Sequence, residues 1–308
     1  MKIVVAGGTG FLGSHLCKKL VAQNHFVICI DNNITGSYKN IESLINAKNF
    51  LFLERDIRED IIIESDIDQI YNLACPASPP KYQKYPIFTL NTCFNGTQKL
   101  LKLAKSKNAR FLLASTSEIY GEPQITPQHE KYRGNVNTIG IRSCYDEGKR
   151  IAETLTMEYN RQYNIDTRII RIFNTYGPNM DPEDGRVITN FINQAINNED
   201  ITIYGDGEQT RSFCYVDDLI DGMIKCMNSE YNLPINLGNP IEMKIKEIAE
   251  LILLLTNSKS NLIRIPLPED DPTNRKPDIN IARTILNWEP KIELIEGLKN
   301  TINYFKQL

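Results

Sequence analysis

The sequence predicts an α/β protein: a doubly wound parallel sheet followed by a smaller C-terminal lobe of mixed α/β character. Three observations carry that expectation. Short apolar runs alternate with helical patterns through the first 175 residues, a glycine-rich turn joins the first run to the first helix, and the regularity loosens after Gly177-Pro178. Strands that alternate with helices build parallel sheets covered on both faces.

The first element is a strand over Lys2–Ala6. Residues 13–24 follow as a helix, with Leu16, Leu20 and Val21 on one face. Further strands are expected at 26–30, 50–55 and 69–73. A helix over 89–106, carrying Leu90, Leu100, Leu101 and Leu103, leads to a strand at 110–114. A long helix at 145–163 precedes a sixth strand at 167–173. Beyond it the apolar segments are short, as at Ile201–Tyr204 and Ile235–Leu237, and Pro and Gly are denser. The expected division is 1–175 for the sheet domain and 176–308 for the second lobe, with segments such as 213–238 returning to the first.

The chain has 308 residues, 41% hydrophobic and 24% charged, with a formal net charge of -3. This is the balance of an ordinary folded protein, and it offers no field suited to a nucleic-acid backbone. Seven cysteines lie scattered without a C-x-x-C pair, which argues against a disulfide framework or a metal site and for a reducing compartment. A strand at the first residues leaves no room for a targeting peptide, and the apolar stretch at 248–255 is broken by Glu250 and too short to span a bilayer. A cytoplasmic protein without membrane or nucleic-acid partners is expected.

Gly7-Gly8-Thr9-Gly10-Phe11-Leu12-Gly13 directly follows the first strand and opens the first helix. Side chains at these glycines would block a pyrophosphate, and the helix start offers free N–H donors and a positive dipole end. This is the dinucleotide-binding turn of a Rossmann-type fold. Asp31, ending the second strand, is placed to accept hydrogen bonds from ribose hydroxyls and to repel a 2′-phosphate, favouring NAD over NADP. Asp56, after the third strand, reads equally as an adenine contact or a loop acid.

Tyr145 and Lys149 stand four apart, on one face of the long helix. A free phenol titrates near about pH 10, so a tyrosine base needs a nearby cation, and Lys149 supplies one while also reaching a cofactor ribose. The loop after the fifth strand adds Ser115, Thr116, Ser117 and Glu118, with Thr116 placed to bond a substrate hydroxyl undergoing oxidation.

Seven segments extend the pattern: 72–80 (NLACPASPP), 114–121 (ASTSEIYG), 144–150 (CYDEGKR), 171–178 (RIFNTYGP), 184–187 (DGRV), 209–213 (QTRSF) and 271–278 (DPTNRKPD). With them the chain resembles the extended short-chain dehydrogenase/reductases, and among these the UDP-glucuronate decarboxylase branch. Two segments discriminate. Related 4,6-dehydratases carry Asp-Glu where this chain has Ser117-Glu118, and 274–278 resembles the decarboxylase form of the substrate loop.

The resemblance implies NAD-dependent conversion of UDP-glucuronate to UDP-xylose through a 4-keto intermediate. Tyr145, Lys149 and Thr116 would act at C4, and Ser117, Glu118 and Arg275 near C5 and the carboxylate; which of Glu118 and Arg275 handles the C5 proton stays open. It implies cofactor contacts from Gly7, Gly10, Phe11, Leu12, Gly13, Asp31, Asn32, Asp56, Ile57 and Ala74. UDP contacts would come from Asn174, Arg186, Asn190, Arg211 and Arg275. No metal is implied, and the helices at 89–106 and 145–163 correspond to a homodimer interface in relatives.

The chain also departs from those relatives. Cys93 stands where Asn is usual and Asn91 where Lys is usual, both near the cofactor, and 134–141 lacks two prolines. Weaker retention of NAD follows, which keeps open release of the 4-keto pentose with NADH. The alternatives are a 4,6-dehydratase or 4-epimerase of the same family, the first opposed by Ser117, and a non-catalytic NAD-binding protein, opposed by the presence of both Tyr145 and Lys149.

Overall fold

A computed structural model describes residues 1–266 and 274–308. Six apolar runs become β1 (Lys2–Ala6), β2 (Phe26–Asp31), β3 (Phe50–Glu54), β4 (Gln69–Asn72), β5 (Arg110–Thr116) and β6 (Thr167–Ile172). A further strand, Ile235–Leu237, returns from the C-terminal half and pairs in parallel with β6, Asn236 opposite Arg171. The sheet runs Ile235–Leu237, β6, β5, β4, β1, β2, β3. Every pairing in it is parallel. The chain winds outward from β1 to β3, then crosses back to β4 and continues in the opposite direction. That reversal opens a crevice at the carboxyl ends of β1 and β4, where connecting loops diverge.

Strand composition follows from two-sided burial. Along β1, Ile3 and Val5 join the core on one face of the sheet, while Val4 and Ala6 join the other. In β5, Leu112 faces the first core and Phe111 and Leu113 the second. With both faces dry, no polar alternation is required.

The first helix, α1 (Phe11–Ala22), begins two residues earlier than its apolar spacing suggested, because Gly10 already serves as its N-cap. The expected helix at 89–106 is three pieces: Pro86–Asn91, a π turn at Thr92–Gly96, and Thr97–Lys107. The wide turn lies against the sheet domain: a Cβ on Gly96 would stand 2.5 Å from Ile57 Cδ1, and Asn72 donates to Thr97 Oγ1 at 3.1 Å. Such turns concentrate near functional sites. The long helix runs over Ser143–Tyr163.

The C-terminal lobe pairs Ile201–Tyr204 with Leu262–Ile265 in parallel and Thr210–Ser212 with Glu242–Lys244 antiparallel. Its core is continuous with one face of the sheet, running from Leu112 and Ile170 through Leu219 and Met223 to Phe191, Ile248 and Leu298. Helix Val216–Asn228 carries the middle of that path and leads into the seventh strand. All seven cysteines are free thiols. Among the described residues no helix is long and apolar enough to cross a membrane, and no cluster of three metal-ligating side chains occurs.

Candidate active site

A cleft of about 850 Å³ lies between the carboxyl ends of β1, β4, β5 and β6 and the C-terminal lobe. Gly7, Gly10, Phe11, Leu12 and Gly13 line it from α1, while Thr116, Ser117, Glu118, Tyr145 and Lys149 line it from the sheet side. Asn174, Arg186, Asn190, Arg211 and Arg275 close the opposite wall. A smaller adjoining cavity of about 60 Å³ gathers Asp31, Asn32, Asp56, Ile57 and Ala74.

The glycines of the turn do different jobs. Gly7 has φ +82°, and a Cβ there would lie 2.7 Å from Ala74 N. At Gly13 a Cβ would fall 2.0 Å from Gly7 O, so this glycine lets α1 press against the turn. At Gly10 the only near neighbour would be Gly7 O at 3.3 Å. The protein's own packing thus requires Gly7 and Gly13, whereas Gly10 leaves room on the cleft side, at a helix start that no side chain caps. This cradle fits a pyrophosphate.

Asp31 is fixed by its own backbone: Oδ2 accepts from Thr9 N at 3.0 Å and Oδ1 from Asn33 N at 2.9 Å. Each oxygen keeps a second lone pair for a ribose hydroxyl. Asp56 accepts from Arg58 through the backbone N–H and the guanidinium, and from Asn32 Nδ2 at 2.9 Å. Burial opposes its charge, but these bonds win and hold its carboxyl below the usual range. Arg58 lies 4.0 Å over the Phe88 ring, which itself lines the small cavity. The small cavity is therefore walled by an ion pair stacked on an aromatic ring.

At the other end, Tyr145 is 6% exposed and hydrogen-bonds Thr116, the last residue of β5. Lys149 Nζ lies 5.8 Å from the Tyr145 ring centroid and donates to Ala114 O at 2.8 Å. Burial pushes the Tyr145 phenol well above its ordinary value, Cys75 adds to the rise, and the Thr116 bond opposes it. Further positive charge beside the ring is required for a neutral-pH base.

Glu118 is gripped by two guanidiniums: Arg142 Nη2 at 2.6 Å and Arg275 Nη2 at 3.2 Å, both to Oε2. Burial opposes the charge, yet Arg275 and Arg142 bring the carboxyl down to about 2. Arg275, 2% exposed, also donates to Gly121 O at 2.6 Å. Asp270 and Asp271, acidic neighbours of Arg275 in the chain, and the 271–273 part of its motif lie outside the described residues. Asp146 stands beside this cluster, with its carboxyl pushed up to about 7 by burial and by Glu118, against Arg142 and Arg275. Its Oδ1 is buried without a hydrogen-bond partner.

In the C-terminal lobe, Arg186 pairs with Asp184, and Asn190 Nδ2 donates to Gly185 O at 3.1 Å. Arg211 bridges to Arg275 by backbone pairing. Ser115, the neighbour of Thr116, belongs instead to a structural network: its hydroxyl donates to Glu153 at 2.6 Å, and Glu153 pairs with Arg171.

Sequence reasoning missed Arg58, Tyr82, Arg142 and Asp146. Tyr82 stacks on Tyr145 with ring centroids 5.1 Å apart and planes 4° from parallel, and its hydroxyl is buried without a partner. It lies two residues past the 72–80 segment. Arg142 precedes the helix N-terminus, and Asp146 sits inside the 144–150 segment. Neither carries a spacing signal of its own.

Fold and cleft together fit a dinucleotide-dependent enzyme, with a cleft open between the sheet and the C-terminal lobe. Residues 3–238 match the NAD dependent epimerase/dehydratase family, and the chain belongs to that family. The UDP-glucuronic acid decarboxylase 1 of Xenopus tropicalis is 50% identical over 99% of this chain and 72% of its own length. The UDP-glucuronic acid decarboxylase 2 of Arabidopsis thaliana is 50% identical over 100% of this chain and 68% of its own. Among solved structures, the UDP-glucuronic acid 4-epimerase of Bacillus cereus with UDP-glucuronic acid and NAD superposes with a TM-score of 0.88 at 29% identity, covering 100% of this chain and 99% of that one. The UDP-glucose 4-epimerase of Thermotoga maritima gives a TM-score of 0.92 at 28% identity, with 100% and 99% coverage.

Proposed function

We propose that the chain decarboxylates UDP-glucuronate to UDP-xylose with NAD as a redox-neutral cofactor. The observation that carries this reading is the Glu118–Arg142–Arg275 cluster beside Tyr145, in a chain 50% identical to UDP-glucuronic acid decarboxylases. NAD, cradled by Gly7, Gly10 and Gly13, supplies a reversible hydride acceptor and a cationic ring. Tyr145 takes the proton of the C4 hydroxyl, and Thr116 holds that hydroxyl and the phenol in line.

Oxidation at C4 makes the sugar a β-keto acid. Its C5–C6 bond breaks to release carbon dioxide, and the electron pair passes into the C4 carbonyl as an enolate. Tyr145, now protonated, and Thr116 donate to that oxygen. A proton from water would then add at C5, and return of the hydride to C4 with the Tyr145 proton to its oxygen would give UDP-xylose. Arg142 and Arg275 are placed to orient the sugar carboxylate, while Glu118 offsets part of the grip that would hold it. Glu118, held ionised, is a positioning residue and not an acid at neutral pH, and a guanidinium does not give up its proton. Ser117, in place of a second acid, leaves no donor for a departing C6 hydroxyl.

The UDP half is assigned to Asn174, Arg186, Asn190 and Arg211, with guanidiniums matched to phosphate oxygens. We assign the sheet domain to 1–175 and the substrate lobe to 176–308, with the Ile235–Leu237 strand counted in the sheet. A homodimer through the helices of Pro86–Lys107 and Ser143–Tyr163 is favoured by exposed Ile87, Leu90, Phe94 and Ile151 along them. Seven free thiols favour a cytoplasmic location. Product analysis by NMR, starting from UDP-glucuronate with catalytic NAD, tests the reading. UDP-xylose and carbon dioxide are expected. A 4-epimer that keeps its carboxylate, or a 4-keto pentose with stoichiometric NADH at 340 nm, would contradict it.

A further inference from the structure

Cys75 and Cys93 face each other with their sulfurs 3.3 Å apart, at the floor of the cofactor cleft. Cys75 is half-buried on the loop after β4 and lines both cavities, so small reagents can reach it. Cys93 is 2% exposed, on the π turn at Thr92–Gly96, beneath the Tyr145–Lys149 helix. A Cβ on Gly148 of that helix would stand 3.1 Å from Cys93 Sγ. We propose that Cys75 and Cys93 form a reversible oxidative modification site, whose disulfide distorts the cleft floor and weakens NAD binding.

The oxidant class is a peroxide. Cys75 sulfur attacks the peroxide, the O–O bond breaks, and a sulfenic acid and one water result. Cys93 sulfur then displaces the hydroxyl from Cys75, forming the S–S bond and releasing a second water that carries away the Cys93 thiol proton. Two thiols are oxidised by two electrons and one peroxide is reduced. Burial opposes the Cys75 thiolate, but the Cys93 hydrogen bond and Lys149 hold its thiol below the ordinary value, whereas the Cys75 contact and burial push Cys93 up. The attacking group is thus the accessible one. Bond formation needs the sulfurs to close from 3.3 Å to about 2.05 Å. That movement draws the Leu73–Pro76 backbone, which lines the small cofactor cavity, toward the π turn at Thr92–Gly96.

The test treats the full chain with hydrogen peroxide and reads peptide mass and NAD affinity, neither of which depends on the sugar substrate. Expected are a cross-linked peptide pair two mass units lighter than the thiols, at least about tenfold weaker NAD binding, and reversal of both by dithiothreitol. Cys93→Ala, compared with its own untreated sample, is expected to keep its affinity under the same treatment. Absence of the cross-link, a cross-link without loss of affinity, or equal loss in Cys93→Ala would overturn the proposal. The wild-type mass and affinity series decides the matter by itself if that variant fails to fold.

Discussion

The two ends of the cleft are built by different means. At the cofactor end the contacts are backbone: a glycine turn, a helix start, and Asp31 pinned by the N–H groups of Thr9 and Asn33. The pyrophosphate turn and Asp31 lie within about thirty residues of chain, and side chains from farther along, the Asp56–Arg58 pair and Phe88, only wall the smaller adjoining cavity. At the substrate end the machinery is side chains drawn from far apart. Glu118 follows β5, Arg142 precedes the long helix, and Arg275 arrives from more than 150 residues beyond Glu118, the three meeting as buried charges. A backbone-built site is local and survives most side-chain changes. A side-chain-built site fails as a unit, because removing one partner unbalances the others in a largely buried cluster.

The largest break in that contrast is expected at Tyr145. Tyr145→Phe should lower turnover by about 10²–10⁴-fold, the usual worth of a positioned acid–base group, with NAD affinity within about twofold of wild type. Steady-state rates and NAD titration check it; unimpaired turnover would remove the base. Glu118→Gln comes next. It removes the carboxylate that Arg142 and Arg275 share, so a loss of stability is expected together with most of the activity. Thermal melts and rates read both, and a variant as stable as wild type would show the cluster to be less dry than its burial suggests.

The cofactor end is sharpened by two glycines. Gly10→Val should fold normally and lose NAD affinity, because a Cβ there meets only Gly7 O at 3.3 Å. Gly13→Ala should instead destabilise the fold, its Cβ falling 2.0 Å from Gly7 O. Melting temperature and NAD titration on both variants separate ligand space from packing space. Equal behaviour of the two would contradict the division.

The smallest expected effect concerns pH. The Asp146 carboxyl is raised to about 7 in the folded chain, well above an exposed aspartate near about 3.9. Its bound proton therefore contributes stability that is complete below about pH 4 and is lost as pH rises through about 7. Asp146→Asn should flatten the fall of melting temperature between about pH 5 and 8. Identical slopes in variant and wild type would remove Asp146 from the account.

The same contrast governs what could be read from the chain alone. The sheet strands were legible because two-sided burial writes continuous apolar runs such as Lys2–Ala6, and the glycine turn because its function is spelled in consecutive residues. The π turn at Thr92–Gly96 was not, since its packing, with Gly96 against Ile57, is a contact across the fold that no local spacing encodes. Tyr82, Arg142 and Asp146 escaped for a related reason: each acts through a neighbour that tertiary packing supplies, Tyr145 for the first and Glu118 for the others. The burial of Tyr145 was likewise not legible from its helical partner. Spacing places a cation nearby, whereas desolvation, which the spacing does not encode, sets the larger shift.

The central claim is that one hydride leaves C4 and returns to it while C6 is lost as carbon dioxide. UDP-glucuronate deuterated at C4, turned over with catalytic NAD, tests this most directly by NMR of the product. The account predicts UDP-xylose with deuterium retained at C4. A pentose that has lost the label, or a labelled sugar that still carries its carboxylate, would contradict it.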